Sequence, residues 1–393
     1  MNRILKNLKL LRYQFFFWGW LPENVILVLY FNQVLDSYAL AGLVFMFRYW
    51  AISLFEIPTG IFSDKIGRRY TLILSGLCYL LVKVFYILAF WMAPLIMLLL
   101  ASVFYGVAES LSSGTNEAVV YENVAKLKKK DFPNYYGKIK ACHTLGIGIS
   151  ALFGGMISSI VSMYAVMWLS LFGTLAHIYF SWCLTEVGFT PSSRKVFSQF
   201  WVSLCSIWKD RSLKSLFVAE LLSHSGDRGQ GDMMPAYLGA LIPYWVMGLW
   251  RFAGRGINFF SFWFVKRFFK LWGLKRCYIY SIITGPVSIL VGLIFNNILT
   301  PFIFLGDYIF HGIGYIAKAQ IKQDRFTNTQ RATMESVFSM ADNVCAGIAV
   351  FIIGIIAQET NVIIAILSAL VFKFAAFPFY FRVLKSEKVR KFV

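Results

Sequence analysis

GIFSDKIGRR, residues 60–69, lies between two long apolar runs, and each of its residue types has a separable physical duty. Gly60 lets two helices approach closely. Asp64 can accept hydrogen bonds from backbone amides at a helix N-terminus or from an arginine, and Gly67 supplies a tight turn. Arg68 and Arg69 anchor in headgroups at a membrane surface. A merely basic turn would explain the arginines but not the spaced Gly and Asp.

The apolar runs on either side typify the whole chain. Of 393 residues, 58% are hydrophobic, 18% aromatic and only 15% charged, and the mean hydropathy is +0.64, which excludes a soluble protein. A membrane helix needs roughly 20 apolar residues. Such stretches are expected at 13–33, 38–62, 70–90, 94–121, 138–160, 164–186, 212–241, 244–268, 274–295, 299–322, 331–357 and 360–381, twelve in all. The expected fold class is therefore an all-α membrane protein.

A formal charge of +19 would suit a nucleic-acid binder, so the placement of the basic residues decides its meaning. They crowd the N-terminus (Arg3, Lys6, Lys9, Arg12) and then every second break, including Lys65 to Arg69, Lys126 to Lys130, Lys266 to Arg276 and Lys322 to Arg331. The breaks near 35, 92, 162, 243, 297 and 359 carry no Lys or Arg. By the positive-inside rule both termini are cytoplasmic and the number of spans is even. The chain is expected in a bacterial inner membrane, with the lipid bilayer as its main partner and no nucleic acid. Its six cysteines show no metal-ligand spacing and none lies in an outer break, so free thiols and no metal or cofactor are expected. The basic start followed by an apolar run contains Pro22 and Glu23 and lacks a small-residue cleavage site, so it reads as a retained first helix.

The longest polar break, about 187–211, mixes Trp, Phe and Leu with Lys and Arg and reads as an amphipathic helix on the inner membrane face. It divides the chain into an N-terminal six-helix half (1–190), a linker (191–211) and a C-terminal six-helix half (212–393), as in a transporter built on internal repeats. A faint repeat supports this. Arg48 precedes Gly67 by 19 residues and Arg255 precedes Gly273 by 18, and both glycines are followed by basic residues.

GIFSDKIGRR resembles the signature between helices 2 and 3 of major facilitator transporters at every defining position: Gly60, Asp64, Lys65, Gly67, Arg68 and Arg69. SGTNEAVVYENV (113–124), together with RATMES (331–336), is similar to a branch of that superfamily with a Glu-Ala element at the inner end of helix 4. The resemblance implies a twelve-helix fold in two halves, alternating access, and a gating role for the signature loop. Two features of proton-linked drug antiporters are missing: Ser102 stands where they carry an arginine, and Ser150-Ala151 replaces a Gly-Pro. In the second half the signature has decayed to KLWGLKR (270–276), without its Asp.

Charges inside a membrane cost several kcal/mol and persist where they have work to do. Arg48 lies about ten residues from the outer end of its span, roughly 15 Å deep. Arg251 and Arg255 share a face of the eighth span, with Arg255 at a depth like that of Arg48, and arginines suit carboxylate or phosphate. The alternative is that these arginines pair with buried acids. In the seventh span Glu220, His224, Asp227 and Arg228 share a face, followed by Gln230 and Asp232, with Gly226, Gly229 and Gly231 expected to loosen the helix there. Should that span end early, the cluster would be an outer loop. Candidate substrate contacts are therefore Arg48, Arg228, Arg251, Arg255, His224 and Gln230. Candidate proton carriers are Glu23, Glu109, Glu220, Asp227, Asp342 and the i, i+4 pair Asp307–His311. Lys83 and Lys373 fall in spans that the resemblance places outside the cavity, and they receive no role.

The function expected is secondary active, proton-coupled transport of a small organic solute, an organic anion such as a polycarboxylate chelator or acidic metabolite, by a monomer. The alternative is proton-coupled efflux of amphiphilic drugs. An intramembrane enzyme is not expected, since the four histidines form no HExxH-type pair and no Ser-His-Asp set stands at helical spacing.

Overall fold

The computed structural model describes residues 2–127, 132–186, 201, 205–323 and 331–385, and every regular element among them is helical. The expected linker helix lies largely outside these residues. By internal contacts the chain divides into one compact unit of Met1–Arg194 with Pro243–Phe252 and a second of Lys195–Ile242 with Ala253–Val393.

The first unit begins with α1 (Asn2–Trp18), a short 3-10 turn (Pro22–Val25) and α2 (Leu27–Leu35), then α3 (Tyr38–Ile66), α4 (Arg68–Leu88), α5 (Pro94–Ala125), α6 (Phe132–Ile160) and α7 (Met163–Cys183). The expected first span is thus broken. Pro22 lacks the amide hydrogen that would continue α1, and the chain re-enters a helix only at Leu27. The break is packed tightly: a Cβ at Gly154 would stand 2.2 Å from the Pro22 carbonyl oxygen. Apolar residues of α1, α4, α5 and α6, among them Leu11, Phe15, Leu72, Val120 and Ile139, form a buried core. Serines at the helix entries do local work: Ser37 Oγ accepts from Leu40 N at 3.2 Å and Ser162 Oγ from Ala165 N at 3.1 Å.

In the second unit α8 (Arg211–Leu241) starts on Asp210, whose carboxylate accepts from the amides of Ser212 and Leu213 at 2.7 and 3.0 Å. After it come α9 (Tyr244–Trp263), whose first turns group with the first unit, α10 (Val265–Phe295), α11 (Thr300–Phe304), α12 (Gly306–Ile309), α13 (His311–Gln323), α14 (Arg331–Glu359) and α15 (Val362–Lys385). The expected tenth span is three short pieces, so Asp307 and His311, four residues apart, stand on successive helices, within electrostatic reach of each other.

Eight described helices are long and apolar enough to cross a membrane, namely α3 to α7, α10, α14 and α15. The four expected spans missing from that set are the two broken ones, together with α8 and α9. The faint repeat acquires a structural counterpart. Gly67 has φ 101, ψ 159 and Gly273 has φ 76, ψ 157, the same conformation, which a residue with a Cβ rarely adopts.

Candidate functional site

The signature turn is a knot of charge built on backbone geometry. α3 ends at Ile66, Gly67 turns the chain, and α4 starts at Arg68 with its first amides unsatisfied. Glu186, just beyond α7, fills that need: its two carboxylate oxygens accept from Arg68 N and Arg69 N at 2.9 Å each. Arg68 Nε donates to Glu122 at 3.1 Å and its Nη1 to Ser63 Oγ at 2.8 Å; Ser63 in turn bonds Thr115 at 2.9 Å. Arg69 donates to the Trp182 carbonyl at 2.8 Å. Thr115 and Glu122 both come from the 113–124 stretch, whose Asn116 and Asn123 bond Gln14 and Asn7. Glu186 escaped the sequence reading because its partners are main-chain amides, which leave no trace in composition. Among the described residues, nothing stands within 4 Å of a Cβ at Gly60, where a close approach of helices was expected. The side chain of Asp64 lies outside the described set.

Deeper in the first unit, Glu23 and Lys83 form a buried ion pair, at 2% and 1% exposure, beside the Pro22 break. Lys83 therefore has a role that the sequence did not assign. Glu109 accepts from Tyr79 Oη. Arg48 lays its guanidinium 3.4 Å from the centroid of the Tyr105 ring, and Arg251 donates to the Asn24 carbonyl. Of the two arginines expected on one face of the eighth span, Arg251 groups with the first unit and Arg255 with the second.

The second unit holds most of the remaining candidates. α8 is unbroken through Glu220, His224, Asp227, Arg228 and Gln230, so the cluster is neither an outer loop nor a loosened helix. Gly226 and Gly229 instead admit close packing: Cβ atoms there would meet Lys373 Cγ at 2.5 Å and Ile353 Cδ1 at 2.1 Å. Two layers of charge result. In one, Lys373 bonds Asp227 at 2.7 Å and Gln230 at 2.9 Å. In the other, Glu220, 1% exposed, takes Lys322 at 3.0 Å and Lys318 at 3.8 Å, while Lys322 also reaches Glu335 at 2.8 Å. Lys322, which the sequence reading counted in a basic break, thus serves Glu220 and Glu335. Asp342, 8% exposed, faces this second layer, and its Oδ1 has no hydrogen-bond partner among the described residues. Arg228 Nε stands 3.3 Å from His224 Nε2.

Beside these layers lies a cavity of about 120 Å³, with Asp227, Asp307, His311, Lys318 and Lys373 in its wall. Lys318 belongs both to this wall and to the Glu220 layer. Among the described residues, Asp307 and His311 are held by no hydrogen bond. Arg255 on α9 is within electrostatic reach of His311, and its buried Nε has no hydrogen-bond partner among the described residues. Four lysines complete these pairs, Lys83, Lys318, Lys322 and Lys373, and sequence reasoning gave none of them that role. Their signal was there in principle, since a lysine inside an apolar span demands an acid. No group of three or more metal-ligating residues stands together among the described residues.

The profile of the Major Facilitator Superfamily matches residues 15–316. A search of curated protein sequences finds no match. Among solved structures, the chain is similar to the nucleoside transporter NupG, with TM-score 0.71 and 14% identity over 99% of this chain and 100% of that one. A POT family transporter in complex with 5-aminolevulinic acid gives TM-score 0.76 and 12% identity over 96% of each chain. The D-xylose-proton symporter gives 0.73 and 12% over 96% of this chain and 97% of that one. At such identities the likeness is one of fold. With a family match across most of its length and a helical fold shared end to end with membrane transporters, the protein belongs to the Major Facilitator Superfamily.

Proposed function

We propose that this chain is a proton-coupled secondary transporter that carries a small organic solute bearing an acidic group, by alternating access, across a cytoplasmic membrane with both termini inside. The observation that carries the reading is the double charge layer of the second unit and the cavity beside it. Buried charges are costly, and burying a carboxylate with one oxygen unbonded is costlier still. A proton on Asp342 removes that cost, which makes Asp342 the proton carrier. Arg255, a guanidinium with an unpartnered buried Nε, is the group for the solute's acid. Lys318 links the two functions. Neutralising Asp342 changes the charge that Lys318 feels beside Glu220, and Lys318 also lines the cavity. Two of the similar structures, the D-xylose-proton symporter by its name and the POT transporter by its acid ligand, are consistent with this chemistry.

Uptake by proteoliposomes tests it. With a panel of small carboxylates, an imposed inward proton gradient is expected to drive at least one above its equilibrium level, and a protonophore is expected to abolish the accumulation. Uptake indifferent to the gradient, or binding confined to cationic amphiphiles, would contradict the reading.

A further inference from the structure

The RATMES stretch (331–336) brings one acid into the charge layer around Asp342. Glu335 lies seven residues before Asp342 on α14, two turns toward the basic break, so the two acids share a face about 10 Å apart along the axis. That face meets Lys322, in the last turn of α13. The Lys322 ammonium stands 2.8 Å from Glu335 Oε2 and 3.0 Å from Glu220 Oε2, and the centroid of the buried Phe338 ring lies 4.4 Å away, which steadies the cation between the two acids. The three side chains step outward: Glu220 is 1% exposed, Lys322 11% and Glu335 42%. Lys318 completes the layer, 3.8 Å from Glu220 Oε1. The described charges that bear most on Asp342 are these four: Glu220 from α8, Lys318 and Lys322 from α13, and Glu335 from its own helix. His224 of α8 and Tyr380 of α15 stand beside the lysines, and Cys345 of α14 beside Asp342.

Three acids therefore share two lysines. Glu220, Asp342 and Glu335 carry one negative charge more than Lys318 and Lys322 balance, and a single bound proton makes the layer neutral. Glu220 stays ionised, because both lysines hold it. Asp342, only 8% exposed and with Oδ1 unbonded among the described residues, is where the proton rests, and it has no open way to water of its own. We propose that Glu335 is the release group: the proton of Asp342 passes across Lys322 to the Glu335 carboxylate and from there to water at the basic break. The inference rests on the transport reading above, in which Asp342 carries the proton, and adds the way out. The step balances. As Lys322 gives a proton to Glu335 it takes one from the Asp342 side, so Asp342 ends as a carboxylate and Lys322 keeps its charge, while Glu335 hands the proton to a water molecule and is ionised again. Lys322 is the positioning residue of this step, since its ammonium touches an acid on either side.

Rapid-scan infrared spectroscopy of the full-length protein in detergent tests this with the proton as the only probe. A protonated carboxyl absorbs apart from its ionised form, so the band of neutral Asp342, identified by its loss in Asp342→Asn, reports the proton directly. After a jump from acid to alkaline medium, Glu335→Gln should start with the band at wild-type size and lose it at least tenfold more slowly. Glu335→Asp should lose it at nearly the wild-type rate. A high concentration of a small buffer, imidazole, should speed the Glu335→Gln decay severalfold by taking over the release. Glu335 is half exposed, and an ion pair so placed adds little to the fold, so the substituted protein keeps its structure, which the band size checks. Equal decay in wild type and Glu335→Gln overturns the inference, as does a slowed decay that imidazole leaves unchanged, which would be a structural effect. A wild-type spectrum that matches that of Asp342→Asn refutes Asp342 as the proton carrier and the parent reading with it. An Asp342 band whose decay ignores Glu335 refutes the release group alone.

Discussion

Lys83 and Glu23 show at the scale of single residues what a membrane interior demands. Both are almost fully enclosed, so each charge exists because the other does. Lys83→Ala should destabilise the folded protein by about 3–5 kcal/mol, the cost of leaving a buried charge alone, and Glu23→Gln in the same chain should restore much of it. Denaturant titration followed by tryptophan fluorescence checks both; a Lys83→Ala protein as stable as wild type would mean the pair is not buried as described. The acids of this site were legible in the sequence, because an acid within an apolar run stands out and Glu220, Asp227 and Asp342 all fall in such runs. Their lysines were not. Lys318 and Lys322 lie near a helix end, where the positive-inside rule already accounts for a basic residue, and only packing of α8 against α13 through α15 reveals the acids they serve.

At the scale of elements, the turn between α3 and α4 depends on one backbone conformation and one carboxylate. Gly67→Ala forces a φ of 101° on a residue with a Cβ and brings that atom to 3.1 Å from the Glu186 carboxyl carbon, a cost of about 1–3 kcal/mol. Glu186→Ala should cost about 1 kcal/mol, the size of a lost helix cap, and should speed hydrogen exchange in the first turn of α4 with little change in α14. Exchange unaltered in that turn would show that the cap does not hold it. The glycine and the arginines of this turn were readable from spacing; the cap was not, since a carboxylate bonding main-chain amides can face any sequence. Breaks inside elements were only half readable. Pro22 announced one, but nothing in 299–322 beyond Pro301 marks the two interruptions that bring Asp307 and His311 to the cavity from different helices.

At the scale of the whole molecule, alternation of basic and non-basic breaks predicts a sidedness that the backbone echoes. The non-glycine residues with positive φ, Asp36, Ala93 and Asn296, stand at breaks without Lys or Arg, whereas Gly67 and Gly273 stand at basic ones. In a cysteine-free background, Asp36→Cys, Ala93→Cys and Asn296→Cys should react with an impermeant maleimide added outside cells, while Lys65→Cys and Lys270→Cys should react only after permeabilisation; the reverse pattern would invert the proposed topology. The family and its architecture could be read from ten residues and the hydropathy, because both are consequences of lipid as solvent. What the molecule carries could not, because the cavity is walled by residues of α8, α10, α12, α13 and α15, which no local pattern joins. The central claim is that Asp342 carries the proton while the solute binds elsewhere in the same unit. The direct measurement compares solute exchange with proton-driven accumulation in proteoliposomes of wild type and Asp342→Asn. The account predicts that Asp342→Asn retains exchange and loses accumulation; accumulation at the wild-type level, with its proton flux intact, would contradict it.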